Sequence, residues 1–278
     1  MNAEAPNAPL ASFEAKWAKA YPEFGLALTF IREPERSERS AFGCLVYELE
    51  HAAFGIREMQ PAAIKLQWWA EEFVRAAKGE ARHPLTRVLA ERIAGAAIPI
   101  ARWQDVVMGA LNQRDPEPAA DTDALLENYA RFYAPVAEIE VALFANLDAA
   151  SSARVLALAR ALRETTGLAD ALRDGRLPLP LDLLARHRLA RGDLGGKSPE
   201  SAAALHDWLK RLAAGCAEVA KGGPRLSVLS AATLAATSAR ARRAAGAAEP
   251  LAALADGQRR LSVGTTWSAW RAARRSRR

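Results

Sequence analysis

Hydrophobic residues recur every three to four positions along most of this chain, and short runs containing proline or glycine interrupt the pattern. This period is typical of α-helices that bury one face, so the sequence predicts a succession of amphipathic helices. None of the interruptions is long enough to be a clear interdomain linker, and no internal repeat of fixed period is visible. The predicted helices cover residues 10–20, 37–58, 61–78, 84–96, 100–112, 121–147, 151–174, 180–189, 198–221, 225–245 and 257–275.

The predicted helix 61–78 illustrates the pattern. Leu66, Trp69 and Phe73 fall on one face, whereas charged residues such as Glu71 fall on the opposite face. A helix of this kind docks its apolar face on a core. Trp68 lies at the flank of that face, and we expect it to pack against neighbouring side chains rather than to stack on a ligand.

The composition adds a fold class to this picture. Of the 278 residues, 50% are hydrophobic, with alanine and leucine dominant and valine, isoleucine and tyrosine sparse. Alanine and leucine favour helices, and β-branched and aromatic residues favour strands, so the prediction is an all-α fold. The two cysteines, Cys44 and Cys216, belong to no CxxC pair or Cys/His cluster. Neither a disulfide framework nor a structural zinc site is expected.

The sequence predicts a cytoplasmic protein. Its N-terminus lacks a basic segment followed by an apolar core, so it is not predicted to be a signal peptide. The longest uncharged stretch, residues 226–239, is shorter than the ~20 apolar residues that span a bilayer. A reducing compartment agrees with the cysteine content. Peripheral contact with the inner membrane stays open.

The formal net charge is +6, and much of the excess lies at the end of the chain. A basic balance favours anionic partners, although simple solubility is an equally weighted explanation. In a helix, the tail would present tryptophans followed by arginines on one stripe, suited to anionic lipid or phosphate. In the alternative, the tryptophans cap the core and the arginines lie in solvent. The stripe consists of Trp267, Trp270, Arg271, Arg274, Arg275 and Arg278.

Two sequence blocks resemble the squalene/phytoene synthase superfamily. In the first, residues 56–89, the stretch Lys65 to Trp69 is followed by Gly79 and by His83-Pro84. In the second, Asp170 to Asp174 precedes Gly175-Arg176 and a Leu-Pro pair at residues 179–180. The order and separation of the blocks match the family. A Glu-Leu pair upstream of the first block, at residues 48–49, is most similar to the degenerate branch that contains the mitochondrial complex I assembly factor.

The resemblance implies a single-domain helical bundle of the isoprenoid-synthase type, and it also implies where catalytic groups would lie. Head-to-head prenyl synthases hold magnesium ions with an Asp-Asp-x-x-Asp motif and a second Asp-x-x-x-Asp motif on facing helices. Here Glu50, His51 and Phe54 take the places of the first motif. In the second motif Asp174 is retained, but Pro178 stands where the next acid is implied. A magnesium cluster is therefore not expected.

The polar residues that remain mark a vestigial diphosphate or metal region. In a continuous helix, Arg163, Gly167, Asp170 and Asp174 share one face. They line either a vestigial cavity or a solvated face with an Arg–Asp ladder. The candidate residues of this region are Glu48, Glu50, His51, Arg163, Asp170, Arg173 and Asp174.

These observations predict a catalytically degenerate family member that acts as a prenyl-lipid-binding or assembly-type protein without a cofactor. Its expected partner is a prenyl lipid or prenyl diphosphate, an anionic membrane surface or an assembling protein complex, and nucleic acid is not expected. The alternative is an active, magnesium-dependent head-to-head prenyl transferase. Along the chain, we expect a lead-in and first helix at 1–35, the family-like domain at 36–256 and a basic tail at 257–278.

Overall fold

The prediction of an all-α fold is confirmed by a computed structural model that describes residues 8–114, 116–195, 198–257 and 260–276. Within those ranges the chain forms fifteen α-helices, one π-helical turn and one 3-10 turn, and no strand. A single hydrophobic core runs from Leu10 near the start of the described chain to Ala273 near its end.

The helices follow one another with short connections. A π-helical turn, His51–Gly55, continues α3, and a 3-10 turn, Arg191–Gly195, precedes α12. The α-helices are α1 (Ala8–Ala20), α2 (Pro22–Leu28), α3 (Glu35–Glu50), α4 (Met59–Ala77), α5 (Pro84–Val88), α6 (Ala90–Ala96), α7 (Ile100–Asn112), α8 (Thr122–Phe144), α9 (Ala149–Thr166), α10 (Leu168–Arg173), α11 (Leu181–Arg186), α12 (Pro199–Lys221), α13 (Val228–Ala245), α14 (Pro250–Gly257) and α15 (Val263–Ser276).

Side-chain caps set the starts of the long helices. Asp121, Asp148, Ser198 and Ser227 each accept a hydrogen bond from a backbone N–H in the first turn of α8, α9, α12 and α13, at 2.9 to 3.1 Å. Such a cap satisfies a backbone donor that has no partner inside the helix, and contributes about 1 kcal/mol. These starts lie within three residues of the positions that the sequence predicts.

Three predicted helices differ from the structure. The α-helix predicted for residues 37–58 ends at Glu50 and gives way to the π-helical turn. The helix predicted for 84–96 divides at Leu89, which separates α5 from α6. The helix predicted for 151–174 divides at Gly167, with φ −93° and ψ 22°. Glycine has a low helix propensity, and this break separates α9 from α10.

Sequence periodicity also missed two short helices, α2 and α14, because they contain seven and eight residues. Helices of this length are marginal in isolation and depend on tertiary packing. In α2, Phe24 is buried and stacks on Trp17 of α1 with 4.3 Å between ring centroids. Packing of this kind stabilises α2 in its place beside α1.

Aromatic and polar contacts fix the helices that surround the candidate site. Phe73 of α4 stacks on Trp103 of α7 at 4.5 Å and on Trp69 at 5.6 Å. Trp208 of α12 donates its indole N–H to the Thr165 hydroxyl of α9 at 2.8 Å. All five side chains are buried, so these contacts set the spacing of the helices rather than their surface.

Across the described ranges, no helix combines the length and the apolar character that a membrane span requires.

A close approach of the α7 and α8 backbones generates a stability prediction. A Cβ atom at Gly109 of α7 would lie 2.5 Å from the Arg131 carbonyl oxygen and 2.8 Å from the Phe132 Cα of α8. Both are backbone atoms, so the helices must separate if the residue grows. We expect Gly109→Ala to lower the free energy of unfolding by about 2 kcal/mol, measured by urea denaturation.

The matched control is Gly95→Ala in α6, where a Cβ would meet no atom within 4 Å. Because alanine has the higher helix propensity, this change should be neutral or should stabilise the protein by about 0.5 kcal/mol. Equal effects of the two substitutions would contradict the close approach of α7 and α8.

Candidate functional site

The centre of the bundle contains a buried carboxylate with three internal donors. Glu50, the last residue of α3, is 5% exposed. One of its oxygens accepts hydrogen bonds from the Tyr133 hydroxyl at 2.6 Å and the Arg163 guanidinium at 3.2 Å. The other oxygen accepts from the Tyr21 hydroxyl at 2.7 Å. We call these four residues, which come from four separate parts of the chain, the Glu50 network.

The electrostatics of the Glu50 network keep its two phenols and its guanidinium in the state that donates hydrogen bonds. Burial raises the pKa of Tyr21 and of Tyr133 above the usual range; Glu50 adds to the effect and Arg163 opposes it. Both phenols therefore remain protonated donors. Burial alone would lower the pKa of Arg163, but the oxygens of Tyr21, Glu50 and Tyr133 raise it, so the guanidinium stays charged. The same guanidinium lies 4.5 Å from the centroid of the Tyr21 ring.

A second buried carboxylate lies on α9, one residue after Arg163. Glu164 is 6% exposed and accepts from Arg160 at 2.5 Å and from Arg176 at 2.8 Å. The Arg160 guanidinium in turn lies 4.2 Å from the centroid of the Phe54 ring. We call these four residues the Glu164 cluster. Both buried carboxylates are thus neutralised by arginines of the same chain.

Phe54, at the implied place of the third aspartate of the first motif, packs as a core side chain. Its ring makes edge contacts with Tyr129 at 6.2 Å and with Phe132 at 6.1 Å. His51, at the place of the second aspartate, lies at the start of the π-helical turn, and its buried Nδ1 has no hydrogen-bond partner among the described residues. Burial lowers the pKa of His51, and Lys65 adds to the effect.

The second sequence block lies apart from the Glu50 network. Because the chain breaks at Gly167, Arg163 points inward while Asp170 on α10 is 61% exposed and pairs with Arg173. Asp174 pairs with Arg57 at 3.5 Å. The single polar face predicted for 163–174 is therefore corrected, since it required a continuous helix. Among the described residues, neither Asp170 nor Asp174 shares a hydrogen-bond or ion-pair partner with Glu50.

These residues do not fit a magnesium cluster. Across the described ranges, no group of three or more histidine, cysteine, aspartate or glutamate side chains is placed to hold a metal ion. Magnesium requires oxygen ligands in near-octahedral geometry. At Glu50 both oxygens already accept hydrogen bonds from within the bundle.

An outer groove of about 530 Å³ lies beside α4. Pro61, Ile64 and Trp68 form its apolar side, and Ile64 and Trp68 are 60% and 40% exposed. Trp68 makes edge contacts with Trp69 at 5.2 Å and with the ring of His83 at 5.6 Å. The expectation that Trp68 packs against neighbouring side chains agrees with these ring contacts. Trp69 is buried, whereas the partly exposed Trp68 also lines the groove.

The polar side of the groove is formed by Glu48, Lys65 and His83. Glu48 accepts from Lys16 at 2.7 Å and Lys65 at 2.6 Å. Burial alone would raise the pKa of Glu48, but these two hydrogen bonds hold it below the usual range. Two ammonium groups thus face one carboxylate. This leaves one excess positive charge beside the groove.

A residue that the sequence analysis missed supports this groove. Glu72 of α4 has no exposed surface and accepts from the backbone N–H groups of Arg82 and His83, both at 2.8 Å, and from Thr86 at 2.5 Å. Burial would raise its pKa, but these hydrogen bonds lower it, so Glu72 stays ionised. The bonds hold the loop before α5, and His83 in turn accepts from the Leu85 N–H. In the sequence, the one sign of this role is that Glu72 is a charged residue next to the apolar positions of the predicted helix 61–78.

Comparisons with known proteins agree with this architecture. The sequence model of the family described as squalene/phytoene synthase matches residues 18–271. The squalene synthase HpnC from Alicyclobacillus acidocaldarius has a similar structure, with a TM-score of 0.67 and 15% identity over 92% of this chain and 97% of that one. The structure of a dehydrosqualene synthase in complex with ligand is also similar, with a TM-score of 0.68 and 14% identity over 98% of this chain and 96% of that one. No curated protein matches the sequence.

The Glu50 network generates a prediction about stability. Glu50→Gln leaves the buried Arg163 charge without its partner, so we expect a loss of about 3 kcal/mol in the free energy of unfolding, measured by urea denaturation. Adding Arg163→Met removes that unpaired charge and should recover part of the loss. The control, Asp170→Asn, removes an exposed ion pair and should change stability by less than about 1 kcal/mol.

A neutral or stabilising Glu50→Gln would contradict a structural role. Replacing a group that is kept for ligand binding often increases the stability of the fold. That result would therefore indicate that Glu50 is kept for a ligand.

Proposed function

The chain belongs to the squalene/phytoene synthase family, and on this premise we propose that it is a catalytically degenerate member that acts as a prenyl-lipid-binding or assembly-type protein. The observation that carries the proposal is the Glu50 network. Glu50 stands at the implied position of the first metal-binding aspartate, and both of its carboxylate oxygens accept hydrogen bonds, from Tyr21, Tyr133 and Arg163.

Prenyl transfer requires a leaving diphosphate to be neutralised by metal ions, and those ions require several free carboxylate oxygens. For magnesium to reach Glu50, the buried Tyr133 and the partly buried Tyr21 and Arg163 would have to give up their hydrogen bonds to it. Their displacement would leave polar groups without partners in the core, at about 1–3 kcal/mol for each group. The Glu164 cluster presents the same obstacle, because Arg160 and Arg176 occupy both oxygens of Glu164.

The space beside the Glu50 network is also small. A pocket of about 60 Å³ lies between Tyr21, Arg163 and Arg240. A water molecule takes up about 30 Å³ in the liquid, so this volume holds about two of them. A prenyl chain does not fit there. The bundle centre therefore favours neither metal binding nor enclosure of an isoprenoid.

The outer groove is the better place for a ligand. Its volume of about 530 Å³ is within the range of about 300–1,000 Å³ that small-molecule sites occupy. An apolar chain would lie along Pro61, Ile64 and Trp68, and an anionic or polar head would approach Lys65 and His83. A prenyl diphosphate or prenyl lipid combines these two properties. In an assembly-type role, the same groove would receive an apolar segment of a partner protein.

The first test is catalytic. We expect the purified full-length protein, incubated with magnesium and either farnesyl or geranylgeranyl diphosphate, to release no pyrophosphate above the rate of an Asp174→Ala variant. Asp174 is an exposed residue that follows the last residue of α10 and pairs with Arg57, so this control should fold. Release by the parent protein that Asp174→Ala abolishes would establish the alternative, an active head-to-head prenyl transferase.

The second test locates the ligand. Farnesyl diphosphate without magnesium should change the tryptophan fluorescence, because Trp68 is 40% exposed in the groove. Ile64→Asp puts a negative charge against the chain and should weaken binding at least about tenfold, which is about 1.4 kcal/mol. The matched control is Met108→Asp on α7, at a similarly exposed position (54%) that is not among the groove-lining residues.

Equal weakening by both substitutions would exclude the groove as the ligand site. Absence of any binding would remove the prenyl-lipid version and leave the assembly-type version. That version predicts that a photo-crosslinking residue at position 64 captures a specific protein partner, whereas the same residue at position 108 does not.

A further inference from the structure

The outer face of α15 combines exposed tryptophan with exposed arginine. Val263 is 87% exposed and Trp267 is 55% exposed, and Trp270 is half-buried one turn further on. Arg271, Arg274 and Arg275 follow on the same side and are exposed. We call these six residues the α15 outer face. Arg278, which the sequence analysis added to this stripe, lies outside the described residues.

Among the described residues, no ion pair neutralises the positive charge of this face. The sequence of α15 contains no aspartate or glutamate. Among the ion pairs of the described ranges, none involves Arg271, Arg274 or Arg275. By contrast, most of the buried or half-buried arginines in the rest of the bundle have a carboxylate partner. Three guanidinium groups are therefore available to an external anion.

The inner face of α15 fixes how the outer face is presented. Thr265, Ala269, Ala272 and Ala273 are buried, and the helix packs on α13 and α2. Small side chains let the backbone approach the bundle closely along the length of the helix. The helix axis therefore lies along the protein surface, and its outer side chains all face away from the bundle.

We propose that the α15 outer face docks the protein on an anionic lipid bilayer surface. Tryptophan favours the interface between headgroups and acyl chains, because its ring is apolar and its N–H is polar. Arginine next to it binds lipid phosphates, and each basic residue near an anionic surface adds to the affinity. A helix that lies along the protein surface with this arrangement matches an interfacial helix, in which the apolar side chains enter the headgroup region.

The geometry favours a lipid surface over nucleic acid or a second copy of the chain. Single-stranded nucleic acid stacks its bases on free aromatic faces. Here Trp267 and Trp270 stack on one another at 4.7 Å, and Arg274 lies 4.9 Å from the centroid of the Trp270 ring, so these faces already have partners. A two-fold dimer whose axis crosses α15 near Arg274 would bring arginines against arginines.

The experiment is co-sedimentation of the full-length protein with vesicles of phosphatidylcholine alone or mixed with phosphatidylglycerol. We expect sedimentation with the mixed vesicles only, and weaker sedimentation as salt is added. The triple variant Arg271→Glu, Arg274→Glu, Arg275→Glu should lower the vesicle affinity at least about tenfold. Trp267→Ser, which changes one exposed side chain, should lower the affinity while leaving the charge intact.

The matched control reverses the charge at three exposed arginine positions elsewhere by changing each to glutamate: Arg87 on α5, Arg131 on α8 and Arg188 after α11. It changes the net charge by the same amount as the α15 triple variant, so retained binding by the control assigns the effect to α15. Equal loss in both triple variants, or no sedimentation of the parent protein, would overturn the proposal. Binding of an oligonucleotide that depends on the α15 arginines, without vesicle binding, would also overturn it. Circular dichroism checks that each variant is folded.

Discussion

The burial of the Glu50 carboxylate is the constraint on which the centre of this bundle depends. A charge in a low-dielectric interior is stable only when donors surround it and an opposite charge is near. Tyr21, Tyr133 and Arg163 provide these, and they join the start of α2 and the helices α3, α8 and α9 around one point. The same contacts that hold the helices together occupy the oxygens that a metal ion would need. Hydrogen bonding within the bundle and metal binding would need the same two oxygens of Glu50. In this structure both oxygens accept hydrogen bonds from within the bundle.

The buried carboxylates and the surface cations of the described residues differ in how fully they are paired. Inside, Glu50, Glu72 and Glu164 each have several donors from the same chain. Outside, the groove beside α4 has an exposed indole and one excess positive charge, and α15 has three arginines without a carboxylate partner. Groups that lack an internal partner are the ones available to bind another molecule. The binding surfaces that we propose for this family member therefore lie on its periphery rather than in its centre.

The helical architecture could be predicted from the sequence to within a few residues at most helix ends, because periodicity and capping are local properties. The break at Gly167 could not be placed, because glycine is tolerated inside helices and only the surrounding packing decides whether one ends there. That single break separates Arg163 from Asp170 and divides a predicted polar face into an inner and an outer part. Trp68 and Trp69 show the same limit: adjacent residues of one type differ in burial because only one faces the neighbouring helices.

The sequence by itself determined the fold class, the family resemblance and the loss of the aspartate pattern, since each depends on residue types at short spacings. It named Glu50 and Arg163 as candidates, but it did not pair them. Their hydrogen bond joins residues 113 positions apart, and the bond from Tyr133 to Glu50 spans 83. Contacts of that range depend on how α3, α8 and α9 pack, and no local pattern encodes it. The tertiary structure therefore decided that these polar residues neutralise one another inside the bundle, while those of α4 and α15 remain open at its surface.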